Sequence, residues 1–340
     1  MQANHHNAPD SLGWGIVGTG VLADVSIAPA LENLEGSHLS AVCSRSLGRA
    51  SEFVTKHGGG NAYDGYAAML ADDNVDIVYI ASPNSLHFEQ AMLALECGKH
   101  VLVEKPMALS TADGLAMVRA AESAGVCLGV GFHLRHKASA IAAREAIVDG
   151  RIGEVFYAEM AIGAGKGLYP YDTWRADPAL AGGGSLLHQG THAVDLAAYL
   201  CGSPIVEVSA MMDAAADEDV FVGSCRLADG TLVQMASHSR RPGTRPDWTV
   251  FGAGGWIVAR GGTAPTPGDS AELHTDDGAS VLGTSSEPAY AAEVAAFADS
   301  VRAGRAPSGD GTDGLRVIAV SDALYRAAAE RRTVSVEQFD

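Results

Sequence analysis

A glycine-rich turn near the start of the chain decides the fold: the nine residues GIVGTGVLA, from Gly15 to Ala23. An apolar run leads into this turn, a helical stretch follows it, and small residues stand at Gly18, Gly20 and Ala23. In the G-x-G-x-x-G/A pattern the first glycine makes the tight turn and the second lets the backbone approach a pyrophosphate. The third small residue packs the helix on the strand. The stretch therefore predicts dinucleotide binding rather than a purely structural turn.

The first part of the chain alternates short β-rich runs with helical stretches. The runs are GWGIVG, LSAVCS, VDIVYIAS, HVLVEK and VCLGVGF, and they are apolar almost throughout. Strands have this composition when helices cover both faces of a parallel sheet. The pattern holds to about Phe132 and, with the glycine turn, predicts an α/β Rossmann domain over residues 1–132.

Residues 133–340 have a different pattern, in which longer strand candidates follow one polar helix. Segments 154–163, 205–213, 219–240 and 247–260 predict an α+β domain with an open, mostly antiparallel sheet and helices on one face. Residues 261–288, rich in Gly, Pro, Ser and Asp, predict a loop or irregular edge strand. Two helices finish the chain, and the one over about 310–330 is expected to pack back on the first domain.

The other face of this second sheet predicts self-association. A broad apolar sheet face is usually covered by another subunit, so we expect a homodimer or homotetramer formed through the C-terminal sheet.

Composition excludes several classes of partner. The sequence has 41 acidic and 23 basic residues, a formal charge of −18, and no basic stretch that would follow a phosphate backbone, so nucleic acid is not expected. No apolar run approaches the roughly 20 residues of a membrane span, and the start lacks a basic segment followed by an apolar one. Five scattered cysteines suit reduced thiols. We therefore expect a soluble cytoplasmic protein.

The second β-rich run ends in AVCSRS, where an enzyme that prefers NAD commonly places a carboxylate for the ribose 2′-hydroxyl. Ser44 and Arg45 stand there instead. A hydroxyl and a guanidinium suit a 2′-phosphate and no carboxylate repels it, so the sequence favours NADP over NAD. The alternative is that Arg45 only stacks on the adenine or lies in solvent.

Two further motifs end neighbouring strands: ASPNSLH, residues 81–87, and VEKP, residues 103–106. Open α/β sheets bind their ligands at the carboxyl ends of the strands. Both motifs are therefore expected to face one crevice.

The stretch GGGSLLHQGTHAVDL, residues 182–196, places His188 and His192 one helical turn apart behind three glycines. H-x-x-x-H is a common zinc spacing, but no glutamate accompanies it as in H-E-x-x-H and no cysteine lies nearby, so no metal is predicted. The glycines either let the backbone approach a ligand or form a flexible loop before a helix. Asp195 either orients the His192 ring or serves as a cap or a solvated charge.

The motifs GIVGTG, ASPNSLH, VEKP and GGGSLLHQGTHAVDL, in this order, resemble those of the Gfo/Idh/MocA family of oxidoreductases, and the resemblance extends to the final helices. It implies that Lys105 and His192 are catalytic and that the bond before Pro106 is cis. A partly desolvated lysine beside a nicotinamide has a lowered pKa and can relay a proton. His188 stands where the family pattern has an aspartate, and histidine differs from it in charge and reach. We expect His188, as a third catalytic residue, to position the substrate or share its proton.

The resemblance also implies which residues line the cofactor. The cofactor is expected to contact strand-end residues: Gly18, Gly20, Val21, Leu22, Ser44, Arg45, Ser82, Pro83, Asn84, His87, Glu104 and Lys105. Asn84 and His87 are otherwise readable as a helix cap and a packed ring. Apart from the resemblance, the side chains before the glycines and after the last parallel strand suit a polyol substrate by their aromatic and basic chemistry. With the catalytic groups, the substrate is expected to meet these residues: Lys105, His133, Arg135, His136, Tyr169, Tyr171, Trp174, Arg175, His188 and His192. The tryptophan and tyrosines can equally be core anchors.

These expectations describe an NAD(P)-dependent oxidoreductase that moves a hydride between nicotinamide and a hydroxyl-bearing carbon of a sugar, cyclitol or similar polyol. His192 would handle the hydroxyl proton, and Lys105 would assist through a hydrogen bond or relay. Two alternatives stay open. One is an enzyme that uses a bound cofactor transiently, in glycoside hydrolysis or sugar–sugar redox exchange; the other is a dinucleotide-binding regulator without turnover.

Overall fold

The protein was analysed as a computed structural model, which describes residues 11–163, 173–215, 217–239, 248–260 and 269–339. Two sheets dominate these residues, one of six strands near the N-terminus and one of nine strands that follows it. Across the described residues, no helix is both long and apolar enough to cross a membrane.

The first sheet is parallel. Its strands are β1 (Leu12–Val17), β2 (Ser37–Cys43), β3 (Asn61–Tyr63), β4 (Ile77–Ile80), β5 (His100–Val103) and β6 (Leu128–Val130). They lie in the order β3-β2-β1-β4-β5-β6, and β1 and β4 are buried along their whole length. Their continuous apolar sequence follows from this burial on both faces. The strand order reverses between β1 and β4, which opens a crevice at the carboxyl ends of the strands.

Helices cover both faces of this sheet. They are a π-helical turn (Ala23–Ile27) that continues into α1 (Ala28–Glu32), then α2 (Leu47–Lys56), α3 (Tyr66–Leu70), α4 (His87–Glu96) and α5 (Thr111–Ala124). Apolar side chains of α1 and α2 pack with Trp14 and Ile16 on one face, and those of α4 and α5 pack with Val17 and Val78 on the other. Helix α5 is capped by the Ser110 hydroxyl, which accepts the backbone N–H of Asp113.

The second sheet is mixed and mostly antiparallel. Its strands are β7 (Val155–Gly163), β8 (Ile205–Met212), β9 (Val220–Leu227), β10 (Leu232–His238), β11 (Trp248–Gly252), β12 (Gly255–Arg260), β13 (Ser270–Thr275), β14 (Gly278–Thr284) and β15 (Val334–Ser335). The order is β14-β13-β12-β11-β7-β10-β9-β8-β15. Strands β7 and β10 are parallel, because the chain between them passes through helices and a hairpin, and the other pairs are antiparallel.

The segment 261–288 contains the edge strand that was one of its two sequence-based predictions, together with a second strand that was not predicted. Residues 261–268 lie outside the described part of the chain, and the remainder contains β13 and the edge strand β14, an antiparallel hairpin with one irregularity between Ser270 and Ala271. The turn residues Asp276 and Asp277 precede Gly278, which has φ +120°. This is an ordinary hairpin signal, and the surrounding Gly, Pro and Ser residues obscured it.

The described residues after the first sheet contain the helices α6 (Ala138–Val148), α7 (Pro178–Ala181), α8 (Thr191–Cys201), α9 (Ala289–Ala303) and α10 (Gly311–Glu330), of which α6, α8 and α10 pack on the second sheet. A second π-helical turn (Leu186–Gly190) runs directly into α8. Helix α8 packs on β7 and β10, whereas α9 packs on α1 of the first domain. Helix α10 contacts α5 and β6 of the first domain as well as α8 and β8 of the second, so it joins the two.

The sheet face turned away from these helices carries exposed apolar side chains: Val222, Leu232, Trp256 and Val281. Along β9 and β10 buried and accessible positions alternate, as in a sheet with one covered face.

Candidate active site

The turn after β1 has the backbone geometry that the glycine pattern requires. Gly18 has φ +98°, and a Cβ there would stand 2.8 Å from the carbonyl oxygen of Ala81. A Cβ at Gly20 would meet nothing within 4 Å, so the space above this residue is open. Ala23 is fully buried. Two residues begin the helix: Val21, which is 47% exposed, and Leu22, which is half-buried. The open backbone at a helix N-terminus fits the pyrophosphate of a dinucleotide.

The end of β2 lies beside this turn. The backbone N–H of Gly18 donates to the carbonyl oxygen of Cys43 at 3.0 Å, and the hydroxyl oxygens of Thr19 and Ser44 are 3.3 Å apart. Arg45 follows with an exposed side chain. Ser44 and Arg45 therefore border the glycine turn at the edge where a ribose would lie.

The loop after β4 is fixed by hydrogen bonds within the first domain. The Ser82 hydroxyl donates to Gln90 of α4, and Pro83 is half-buried. The fully buried His87 ring lies 2.8 Å from the carbonyl oxygen of Pro106 and 3.0 Å from that of Ser82. Burial lowers the pKa of His87, against the effect of these carbonyls. His87 thus joins the loops after β4 and β5 and matches the packed-ring alternative.

Asn84 connects the first domain to the second. Its side chain is buried, and Nδ2 donates to the carbonyl oxygen of Ala181 at 2.8 Å. Ala181 ends α7 and directly precedes the three glycines. This hydrogen bond joins the loop after β4 to the start of the histidine-bearing stretch. It therefore fixes the position of one wall of the crevice relative to the other.

Lys105 lies at the centre of the crevice. Its peptide bond with Pro106 is cis. Nζ donates to the carbonyl oxygen of His188 at 2.5 Å, so the amine of the first domain touches the histidine-bearing stretch of the second. Burial is the main cause that lowers the pKa of Lys105 to about 8; the Glu104 charge opposes this shift and the Arg175 charge adds to it.

Glu104 is enclosed inside the protein beside Lys105. Its Oε1 accepts the Tyr79 hydroxyl, and a Cβ at Gly131 would stand 3.0 Å from the same oxygen. Burial raises the pKa of Glu104, while the Tyr79 hydroxyl and the Lys105 charge oppose that rise. The Glu104 carboxyl therefore influences the crevice by raising the pKa of Lys105.

Three buried imidazoles surround the Lys105 amine. His133, after β6, stacks on Tyr290 with ring centroids 4.3 Å apart and meets His192 edge-on at 4.8 Å. Burial, together with the Lys105 charge, lowers the pKa of His133 and of His188 to about 3. The same causes hold the pKa of His192 well below its ordinary value. The three rings are consequently neutral at physiological pH.

Each of the three glycines permits a close contact inside the protein. A Cβ would stand 2.3 Å from Leu109 Cδ2 at Gly182, 2.4 Å from Tyr325 Oη at Gly183, and 2.2 Å from the Glu218 carbonyl oxygen at Gly184. Only Gly182 also has a positive φ, of +81°. The glycines serve close packing within the chain, which neither sequence-based interpretation anticipated.

Glu218 is a site residue that sequence reasoning missed. Its side chain is buried and holds the start of the histidine-bearing helix, because Oε1 accepts the N–H of Leu186 at 2.6 Å and Oε2 that of Gly184 at 3.3 Å. The Tyr325 hydroxyl donates to the same carboxyl at 3.2 Å, and the Glu218 carbonyl accepts the N–H of Ser185. In the sequence Glu218 stands in the run DED, which is indistinguishable from a solvated acidic loop.

The predicted substrate wall is described only in part. Tyr169 and Tyr171 lie outside the described residues. The Arg175 guanidinium lies over the Trp174 ring at 4.3 Å, and the Trp174 and His188 rings are 6.2 Å apart. Trp174 is half-buried and not a fully enclosed core anchor. Trp174 and Arg175 therefore border the same crevice as Lys105 and His188.

Arg135 does not occupy the substrate wall that the sequence suggested. Its buried guanidinium bonds to both oxygens of Asp195, at 2.9 and 3.0 Å from Nε, and to Asp313 at 2.6 Å. A desolvated guanidinium requires such carboxylate partners, so Arg135 has a structural role and is not available to bind a substrate. Asp195 accordingly bonds to Arg135 and does not orient His192, whose Nδ1 has no hydrogen-bond partner in the described part of the chain.

Among the residues that the structure describes, no three His, Cys, Asp or Glu side chains come together in a way that would hold a metal ion.

The buried imidazoles make stability depend on pH. The pKa values of His133 and His188 are lowered by burial from about 6.5 in the unfolded chain to about 3 in the folded one, so below pH 6.5 the unfolded chain binds protons that the folded chain does not, and stability falls with pH until about pH 3. Each pKa unit corresponds to about 1.4 kcal/mol. We expect the free energy of unfolding in urea to fall steeply between pH 6.5 and 4.5, and less steeply in His133→Phe. A variant of the exposed His38, His38→Gln, is the control; equal slopes in all three proteins would contradict the expectation.

Comparison with protein families supports one assignment for both halves of the chain. Residues 12–132 match the model described as "Oxidoreductase family, NAD-binding Rossmann fold", and residues 140–258 match the "GFO/IDH/MocA C-terminal domain". The first range is the domain with the glycine turn and Lys105, and the second includes the histidine-bearing stretch.

Similar proteins cover almost the whole chain. A 1,5-anhydro-D-fructose reductase from Ensifer adhaerens is 30% identical over 95% of this chain and 98% of its own. A D-xylose 1-dehydrogenase (NADP(+)) from Haloferax volcanii is 31% identical over 95% of this chain and 99% of its own. The solved structure of an aldose-aldose oxidoreductase from Caulobacter crescentus, complexed with glycerol, has a TM-score of 0.89 and 30% identity, covering 96% of this chain and all of that one. The chain belongs to the Gfo/Idh/MocA family of oxidoreductases.

Proposed function

We propose that this protein is an NADP-dependent oxidoreductase that acts on a hydroxyl-bearing carbon of a sugar, cyclitol or similar polyol. One observation carries the proposal: the Lys105 amine of the Rossmann domain reaches the segment that bears His188 and His192, at the carboxyl ends of the parallel strands. The relatives named as an anhydrofructose reductase and a xylose dehydrogenase act on substrates of this class. When bound, the nicotinamide accepts or donates the hydride.

Lys105 is the group best matched to the substrate proton. Its pKa of about 8 lies near physiological pH, whereas protonation of His192 is opposed by burial and by the Lys105 charge. In oxidation the neutral Lys105 amine accepts the hydroxyl proton, and in reduction the ammonium returns it. His192 and His188 then hold the substrate oxygen as neutral imidazoles. This differs from the sequence-based assignment, in which His192 handled the proton.

The cofactor preference rests on Arg45 and Ser44. A guanidinium–phosphate bond contributes about 1.5–3 kcal/mol, so Arg45→Ala is expected to weaken NADP binding by about 10- to 100-fold. Binding of NAD is expected to change by less than about threefold, because NAD lacks the 2′-phosphate. Arg49, exposed one helical turn later, gives the matched control Arg49→Ala. The dissociation constants of NADPH and NADH, measured by nucleotide fluorescence, test this preference. Equal weakening of the binding of both cofactors in Arg45→Ala would contradict a contact between Arg45 and the 2′-phosphate.

The activity is tested with a panel of aldoses, inositols and anhydrosugars, together with their keto forms, in both directions and with NADP and NAD in parallel. We expect at least one pair to give net turnover, followed by the absorbance of the reduced nicotinamide. Tight binding of NADP without turnover on any pair would overturn the oxidoreductase proposal and favour a regulator.

A second candidate is favoured by one relative. The Caulobacter crescentus protein is named an aldose-aldose oxidoreductase and aligns with nearly the whole chain. In such a reaction one sugar is oxidised, a second is reduced, and the cofactor is regenerated within the protein. Co-purification of nicotinamide nucleotide at about one per chain, with aldose interconversion but no net reduction of added NADP, would favour this function over the first.

We further propose that the chain works as a homo-oligomer in the cytoplasm. The exposed apolar face of the second sheet supports the first statement, and the five free cysteines support a reducing compartment. Sedimentation velocity tests the assembly: Trp256→Glu, which places a charge on the exposed face, is expected to yield monomers.

A further inference from the structure

A second cavity lies beside the histidine-bearing helix. It has a volume of about 360 Å³, is partly open to solvent, and is lined mainly by α8, α10 and the segments before β8 and after β15. Apolar side chains form much of its wall: Val194, Ala198, Ile205, Val317, Val320 and Val336. This volume falls within the range of small-molecule sites, and an apolar wall with a few charged groups is their usual composition.

Arg144 is the cation of this wall that has no carboxylate partner among the described residues. Its side chain is half-buried, and its guanidinium lies against Gly202, where a Cβ would stand 2.8 Å from Nη2. Within the same part of the chain this guanidinium makes a single, long hydrogen bond, 3.5 Å from Nη1 to the carbonyl oxygen of Leu200. Arg144 has no ion pair with any described residue, in a chain whose formal charge is −18.

The other cations of the cavity are already matched, and the Glu337 carboxylate in its lining is exposed to solvent. Arg135 is bonded to Asp195 and Asp313, and Arg316 lies 3.6 Å from Asp313 and donates to the carbonyl oxygen of Phe339. Buried or half-buried cations in proteins are normally paired. Arg144 therefore remains as the point at which this cavity would bind a negative group.

We propose that the cavity binds a small organic anion with an apolar or aromatic body, its anionic group on Arg144 and its body against the α8 and α10 side chains. Tyr199, which also lines the cavity, offers an aromatic edge or face to such a body. The occupant would contact the helix that carries His192, and it would do so without entering the crevice around Lys105. The proposal does not depend on the function proposed above.

The test uses three probes of the same shape and different charge: benzoate, benzamide and benzylamine. Titrations by ligand-observed NMR on the full chain are expected to give millimolar binding of benzoate, with benzamide and benzylamine weaker by about tenfold or more. Arg144→Gln is expected to weaken benzoate binding by a similar factor, whereas Arg151→Gln, at an exposed arginine just after α6, leaves it unchanged. Lys105→Met, which alters the crevice, also leaves it unchanged.

Ala198→Leu narrows the apolar part of the cavity without touching Arg144, so it is expected to weaken benzoate binding while thermal unfolding stays near that of the parent chain. Ala198→Leu also tests the assignment if Arg144→Gln does not fold. Three results would overturn the assignment: no benzoate binding at tens of millimolar, equal binding of benzoate and benzamide, or loss of binding in Lys105→Met.

Discussion

Replacement of Lys105 by methionine is expected to lower kcat by about 10³-fold, within the range attributed to proton transfer by a positioned side chain. The methionine keeps most of the length of the side chain and removes the charge. Since burial of that charge is the main reason for the lowered pKa of Lys105, the variant is expected to fold as well as the parent. Turnover, nucleotide binding and thermal unfolding are measured together. The exposed Lys56 supplies the control Lys56→Gln, which is expected to keep full activity.

The pH dependence of the parent enzyme is the companion measurement. If the neutral amine is the acceptor, kcat/KM for oxidation rises as the pH passes about 8 and then levels, while kcat/KM for reduction falls over the same interval. In Lys105→Met the residual activity loses this dependence. A profile that instead rises around pH 6 to 7, and persists in Lys105→Met, would assign the proton to one of the histidines.

Substitutions of Glu218 and Gly184 are expected to have the second largest effects on kcat. These residues position the histidine-bearing helix and do not take part in the reaction themselves. In Glu218→Ala the N–H groups of Leu186 and Gly184 and the Tyr325 hydroxyl lose their acceptor inside the protein. Each such loss costs about 1–3 kcal/mol, so we expect the three together to lower the free energy of unfolding by at least about 3 kcal/mol. A displacement of about 1 Å at the helix start lowers kcat by about 10²-fold.

Graded variants separate these causes. Gly184→Ala forces a Cβ to within 2.2 Å of the Glu218 carbonyl oxygen and is expected to resemble Glu218→Ala, whereas Tyr325→Phe removes only one donor and has a smaller effect. Glu218→Gln keeps one acceptor oxygen and is expected to recover part of kcat. Glu207 on β8, whose side chain is 43% exposed and pairs with Arg226, supplies the control Glu207→Ala. A variant that loses stability but keeps the parent kcat would contradict a positioning role.

The local sequence pattern was sufficient for the Rossmann half of the fold. Gly18, Gly20 and Ala23 have backbone requirements that one short stretch expresses completely, and strands buried on both faces are apolar along their length. The placement of Lys105 followed from the rule that strand ends share an edge of the sheet. These inferences needed no information about distant parts of the chain.

The parts that were not predictable depend on pairs of residues far apart in sequence. Arg135 looked like a substrate contact until the fold placed Asp195 and Asp313 around its guanidinium. Glu218 looked like one more surface acid, and only the approach of residues 184–186 gives its carboxyl a role. The lowered pKa of the histidines has the same origin, because burial is a property of the folded chain and not of the motif.

The packing of α9 and α10 on the Rossmann sheet limits how this chain can be recombined. A Cβ at Gly129 of β6 would stand 2.6 Å from the Phe297 ring of α9, and the same ring meets Trp14 with centroids 6.0 Å apart. A chimaera joined at residue 132 would therefore pair the nucleotide-binding half of one enzyme with covering helices evolved for another. Exchange of substrate specificity between relatives requires a graft of only the intervening segment, with the last two long helices kept from the parent that supplies the first 132 residues.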